Sequence, residues 1–129
     1  MKNVAFIGQD DVDISEDILL SLDKVLRVMI RLGAENFYCE GITEWDRCCI
    51  GAVDYLREEY PQLRLDIIMP RAEDDMQLLR AADCCVCYIG GTGEERRKKI
   101  MLLAESRSIP VINLSDFAEH FYLPNEHTI

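Results

Sequence analysis

The residues best suited to chemistry in this chain gather in its one glycine-rich segment, Gly90-Gly91-Thr92-Gly93-Glu94-Glu95. Glycines between a strand and a helix let the backbone approach a ligand closely, and the unpaired N–H groups of a helix N-terminus suit a phosphate. Thr92 adds a hydroxyl donor. Glu94 and Glu95 work against phosphate, because carboxylates in a first helical turn already gain ~0.3–1 kcal/mol each from the helix dipole and repel a second anion. Sugar hydroxyls are better company for them, so a nucleoside fits this loop better than a polyphosphate. The bland alternative is an ordinary turn.

Other polar residues are less specific. Asp10 and Asp46 can accept hydrogen bonds from ribose hydroxyls, though Asp46 serves equally as a helix cap. Arg96-Arg97-Lys98-Lys99 spans a whole helical turn, so only part of it can face a ligand and a solvated helix face explains the rest. Arg71 and Arg80 are better placed to neutralise a ligand, and are equally suited to surface ion pairs. Among the six cysteines the only Cys-x-x-Cys spacing, Cys84 to Cys87, falls inside an apolar run of strand length, where residues three apart face opposite sides. Three of them lie in the apolar run Cys84-Cys85-Val86-Cys87-Tyr88, which reads as a buried strand with Cys85 and Cys87 on one face. His120 and His127 lack ligand spacing. Reduced, metal-free core thiols are the expectation. There is no Gly-x-x-x-x-Gly-Lys-Ser/Thr loop, no Gly-x-Gly-x-x-Gly after the first strand and no Gly-x-Ser-x-Gly elbow. NTP hydrolysis, dinucleotide redox chemistry and serine hydrolysis are therefore disfavoured.

The elements that must position these residues follow from periodicity. Val4 to Ile7 is a strand closed by Gly8. A helix follows with Ile14, Ile18, Leu19, Leu22, Val25, Leu26, Met29 and Ile30 at a 3.6-residue period, capped by Asp13 or Ser15 and ended by Gly33. Asn36 to Cys39 forms a second strand. Trp45 or Asp46 opens a helix whose inner face is Cys49, Ala52, Val53 and Leu56, ending at Pro61. A third strand runs from Leu65 to Met69, stopped by Pro70. A short helix covers Asp74 to Ala82, and Cys84 to Ile89 is the fourth strand. The helix begun by Glu94 turns Ile100, Leu103 and Ala104 inward. Pro110 to Leu114 is the fifth strand, and a short helix follows from Ser115 or Asp116 to His120.

Strands alternating with helices imply parallel pairing and right-handed crossovers. The simplest arrangement is one α/β Rossmann-like domain over residues 1–129, with a five-stranded parallel sheet in the order 3-2-1-4-5 and helices on both faces. Ligands in such sheets bind beyond the carboxyl ends of the strands where the winding reverses, here between strands one and four. That geometry brings Gly8 and Gln9 together with Gly90, Gly91, Thr92 and Gly93, and sets Gly41 and Asp46 beside them. The net charge of −10 opposes nucleic acid as a partner. No run approaches a membrane span or a signal-peptide core, so a cytoplasmic protein without membrane contact is expected. Self-association into a homo-oligomer stays open.

Several short segments together resemble the SLOG superfamily of Rossmann-like proteins, related to the Smf/DprA and LOG proteins, and most of all its YpsA-like branch. They are Val4-Ala5-Phe6-Ile7-Gly8, Leu32-Gly33-Ala34-Glu35-Asn36-Phe37-Tyr38, Gly41 through Trp45-Asp46, Tyr60-Pro61, Ala82-Asp83, Gly90-Gly91-Thr92 and Ile109-Pro110-Val111-Ile112-Asn113-Leu114. The resemblance implies a nucleotide-derived ligand over the same crevice; no cofactor is expected. Its LOG-type members imply hydrolysis of a nucleoside monophosphate, with Gly91-Thr92-Gly93-Glu94-Glu95 placing Glu95 at the catalytic glutamate. The chain departs from the YpsA-like pattern at Gln9-Asp10, where that branch has His-Arg, and at Ile42 to Glu44, where it has further glycines. Three functions are therefore expected, in this order: a binding domain for a nucleotide-derived small molecule, an N-glycosidic hydrolase using Glu95, and a protein-interaction domain whose pocket is filled by Ile42, Glu44 or Trp45.

Overall fold

Apolar runs of strand length alternate with amphipathic stretches along the chain, and each becomes the element its period demands. The computed structural model describes residues 2–8, 14–41, 43–68, 77–90 and 94–116. In chain order they form β1 (Asn3–Gly8), α1 (Glu16–Arg31), β2 (Asn36–Cys39), α2 (Glu44–Arg57), β3 (Arg64–Ile67), α3 (Gln77–Arg80), β4 (Cys84–Tyr88), α4 (Glu94–Ser106) and β5 (Val111–Asn113). The five strands make one all-parallel sheet in the order β3-β2-β1-β4-β5, the Rossmann-like α/β architecture expected.

The two central strands pair from Val4 with Cys84 through Gly8 with Tyr88. Val4 to Ile7 and Cys84 to Cys87 are buried on both faces, as strands sandwiched between helix layers must be. On one face Val4, Phe6, Phe37, Cys84 and Val86 meet Ile18, Leu22, Leu26 and Met29 of α1 and Cys49, Val53 and Leu56 of α2. On the other, Ile7, Cys85 and Cys87 meet Leu79 of α3 and Ile100 and Ala104 of α4. Helices thus cover both faces. All six cysteines are free thiols, five buried and Cys48 half-buried.

Local chemistry fixes the helix ends. Ser15 caps α1, its hydroxyl accepting from the Ile18 N–H, and Glu16 and Asp17 follow at the positive end of the dipole. At the other end Gly33 takes φ +105°. Its N–H reaches the Ile30 carbonyl and that of Ala34 the Met29 carbonyl, a Schellman closure that a side chain at position 33 would strain. At the amino ends of the central strands the Asp83 carboxylate accepts from the Lys2 and Asn3 N–H groups, both at 2.9 Å. These bonds hold its pKa below the usual carboxylate range.

The structure moves several boundaries. Helix α2 starts at Glu44, ahead of Trp45, because Thr43 is its cap. It ends at Arg57, short of Pro61, where Tyr60 N–H bonds back to the Leu56 carbonyl. Strand β4 stops at Tyr88 and β5 at Asn113, for a shared reason given below. Helix α3 ends at Arg80; Met69, Pro70 and residues 74–76 lie outside the described residues, as do residues 117–120 of the last expected helix. Leu19, placed on the inner face by its period, is 41 % exposed. Among the described residues no helix is long and apolar enough to cross a membrane.

Candidate functional site

The carboxyl ends of β1 and β4 lie side by side, with Gly8 registered on Tyr88 and Gly90 two residues further along. This is the winding reversal where a ligand crevice is expected. Trp45, the second residue of α2, lies across it. A Cβ built on Gly8 would stand 2.5 Å from the Trp45 Cβ and 2.6 Å from its Cδ1. No real side chain fits there. The indole is fully buried and leans on the Tyr88 ring, with centroids 5.7 Å apart at 36°. Gly8 therefore admits a tryptophan from the chain itself. The indole Nε1 has no hydrogen-bond partner, the only buried side-chain nitrogen or oxygen so placed among the described residues.

The other expected site residues divide clearly. Asp46 is buried, and its carboxylate accepts from the Thr43 N–H while the Thr43 hydroxyl accepts from the Asp46 N–H, both at 3.1 Å. That reciprocal pair is a capping box. The carboxylate also acts on its surroundings: burial first, and Asp46 next, push the Cys39 thiol up to about 11. The same two causes, in the same order, raise Cys49 well above its ordinary value. Gly41 sits at φ +75° in the turn after β2, where its own Cβ would press on the Ile67 side chain at 3.1 Å. Gln9, Gly91, Thr92 and Gly93 lie outside the described residues, as do Asp10, Ile42 and Arg71.

Gly90 is held by a device with no sequence signature. The buried Asn113 side chain lies beside Ile89 and pairs with its backbone in both directions. Asn113 Oδ1 accepts from the Ile89 N–H at 3.2 Å and Asn113 Nδ2 donates to the Ile89 carbonyl at 2.8 Å. The amide group takes the place of the next backbone rung, which is why both strands end there. Ser115 completes the knot: its hydroxyl donates to the Ile89 carbonyl at 2.8 Å, and its Cβ and Oγ would both stand 3.3 Å from a Cβ on Gly90. Gly90 is thus small to admit Ser115.

Glu95 is exposed in the first turn of α4. Nearby, Arg97 Nη2 is committed to both carboxylate oxygens of Asp116, at 2.9 and 2.7 Å. Lys98 and Lys99 are exposed, so the basic run does spread around the helix. Thiols remain core residues: a hydrogen bond with Cys87, followed by burial, holds Cys85 well above its ordinary pKa. Among the described residues no group of three or more His, Cys, Asp or Glu is arranged to hold a metal ion. The Thr43-x-x-Asp46 spacing was a readable cap signal; the Trp45–Gly8 and Asn113–Ile89 contacts were not readable, since each depends on tertiary approach. No family model matches the chain, and no curated protein matches it.

Proposed function

We propose that this domain binds a nucleotide-derived small molecule without turning it over, with the reversal point between β1 and β4 as its site. The observation that carries the reading is the Trp45 indole N–H, buried at that point with no acceptor. Leaving such a donor unmet costs about 1–3 kcal/mol, and natural structures avoid it. A ring nitrogen or carbonyl of a nucleobase would supply the missing acceptor once ligand entry displaces the groups that cover the fully buried indole. The aromatic pair Trp45–Tyr88 and the SLOG resemblance support the same ligand class. The net charge of −10 and the exposed Glu95 favour a nucleoside or monophosphate over a polyphosphate. A hydrolytic role for Glu95 draws less support, because the neighbouring Arg97 that a substrate phosphate would need is spent on Asp116.

Trp45 is the only tryptophan, so its emission reports on the site directly. Titration with adenosine, guanosine, their monophosphates and cyclic nucleotides should give a saturable emission change and a rise in melting temperature that follows the logarithm of ligand concentration over Kd. Replacing Trp45 by Phe removes the donor and should weaken binding roughly fivefold, the worth of about one hydrogen bond. The full burial of Trp45 over Gly8 specifically favours a second reading, an interaction domain whose pocket has been filled. Silence from every nucleoside and nucleotide at millimolar concentration would favour that reading over the first.

A further inference from the structure

A second concavity lies away from the sheet edge, on the outer side of α1 and α2. It encloses about 450 Å3 and is lined by Glu16, Leu19, Leu20, Asp23, Arg27 and Tyr55. The α1 residues recur at spacings of three and four, so they form one stripe along the helix. Leu22, Leu26 and Met29 bury the opposite side against the sheet. The floor is apolar and open: Leu20 is 61 % and Tyr55 67 % exposed. Arg27 closes one end, bonded to Asp23 at 2.9 Å and to Glu59, beyond α2, at 2.7 Å. From Glu16 to Arg27 the stripe runs roughly 16 Å at ~1.5 Å per residue, the length of about three helical turns.

Charge decides what fits. The lining carries Glu16 and Asp23 and one cation, Arg27, which bridges Asp23 and Glu59, so these four groups leave two net negative charges. A second copy of this chain would bring the same groove and the same net charge of −10, placing like charges face to face. An occupant of opposite sign meets no such cost. We propose that this groove is a docking site for an amphipathic helix of a partner protein, with apolar residues at i, i+3, i+4 and i+7 and lysine or arginine on their flanks. The leucines and Tyr55 receive the apolar stripe, and Glu16 meets the flanking cations, within the field of the Asp23–Arg27–Glu59 cluster, the helix-in-groove mode of recognition. This inference is independent of what the sheet-edge crevice binds.

A displayed library of helical peptides selected on the intact protein tests it, with counter-selection on a Leu20→Ser, Tyr55→Ser variant. Both substituted side chains are exposed and neither carries charge, so the variant keeps the fold and the electrostatics while losing the floor. The expected winners are net-positive peptides with apolar residues at helical spacing. They should bind the variant at least tenfold more weakly and lose affinity as salt rises. Glu16→Gln, which touches only the rim, should weaken them by a smaller factor. The proposal is overturned if no selected peptide distinguishes protein from variant, or if the winners are acidic or uncharged. It is also overturned if sedimentation shows a dimer that the variant lacks, since a second copy would then be the occupant.

Discussion

The single hydrogen atom that serves Gly8 as a side chain decides where Trp45 can lie. Putting a methyl there forces it to within 2.5 Å of the Trp45 Cβ, an overlap that backbone or indole must relieve. Gly8→Ala should therefore cost about 1–3 kcal/mol, and Trp45→Gly, which removes the Cβ along with the indole and leaves a hole, at least about 3–5 kcal/mol. In the double variant the added methyl meets neither the Cβ nor the indole, so the combined loss should be much less than the sum of the two. Urea unfolding followed by circular dichroism measures all four proteins. Equal cost for Gly8→Ala in both backgrounds would show that some neighbour other than Trp45 sets the requirement. From the sequence Gly8 was readable as a special position at the end of a strand. Its reason was not, because glycine before a ligand and glycine beneath a tryptophan look the same in one dimension. Asp46 carried the same ambiguity between ribose acceptor and cap, and there the Thr43 spacing could have resolved it.

At the scale of elements, period predicts identity well and ends poorly. All nine elements of the described residues were foreseen, because a 3.6-residue apolar repeat and a short apolar run between turn residues leave few other outcomes. The ends of β4 and β5 were not, because a side chain from one strand replaces the backbone rung of the other. Leu19 shows the same limit: adjacent leucines at 19 and 20 blur the inner edge of the stripe, and only the burial of Ile18, Leu22 and Leu26 in the core assigns them outward. The Asn113 amide gives this scale its own test. Asn113→Ala strips partners from Ile89 and Ser115 at once and should cost about 1–3 kcal/mol. Hydrogen exchange should quicken at the Ile89 and Ser115 amides and stay unchanged in α1, which shares no bond with the knot. Uniform acceleration throughout would mean that the knot supports the whole fold equally.

For the whole molecule, topology was the most legible property of all. Alternating elements and right-handed crossovers allow few parallel arrangements, and the simplest of them is the observed one. Its central pair is tied at the amino end by Asp83, whose folded pKa lies below its unfolded value near ~3.9. Such a group adds stability that is complete above the unfolded value and disappears as pH falls through the folded one. Stability measured from neutral pH downwards should therefore fall less steeply below about pH 4 in Asp83→Asn than in the parent. Identical slopes would remove Asp83 from the account. The same clip spans 81 residues of chain, from Asp83 back to Lys2. On a ribosome adding roughly 5–20 residues per second, β1 is made many seconds before β4 exists to pair with it. During that interval β1, β2 and β3 can assemble beneath α1 and α2, but one edge of β1 stays open and Ile7 faces a layer that has not been synthesised. The nascent half-sheet is thus an apolar, unpaired strand on display until β4 arrives to cover it.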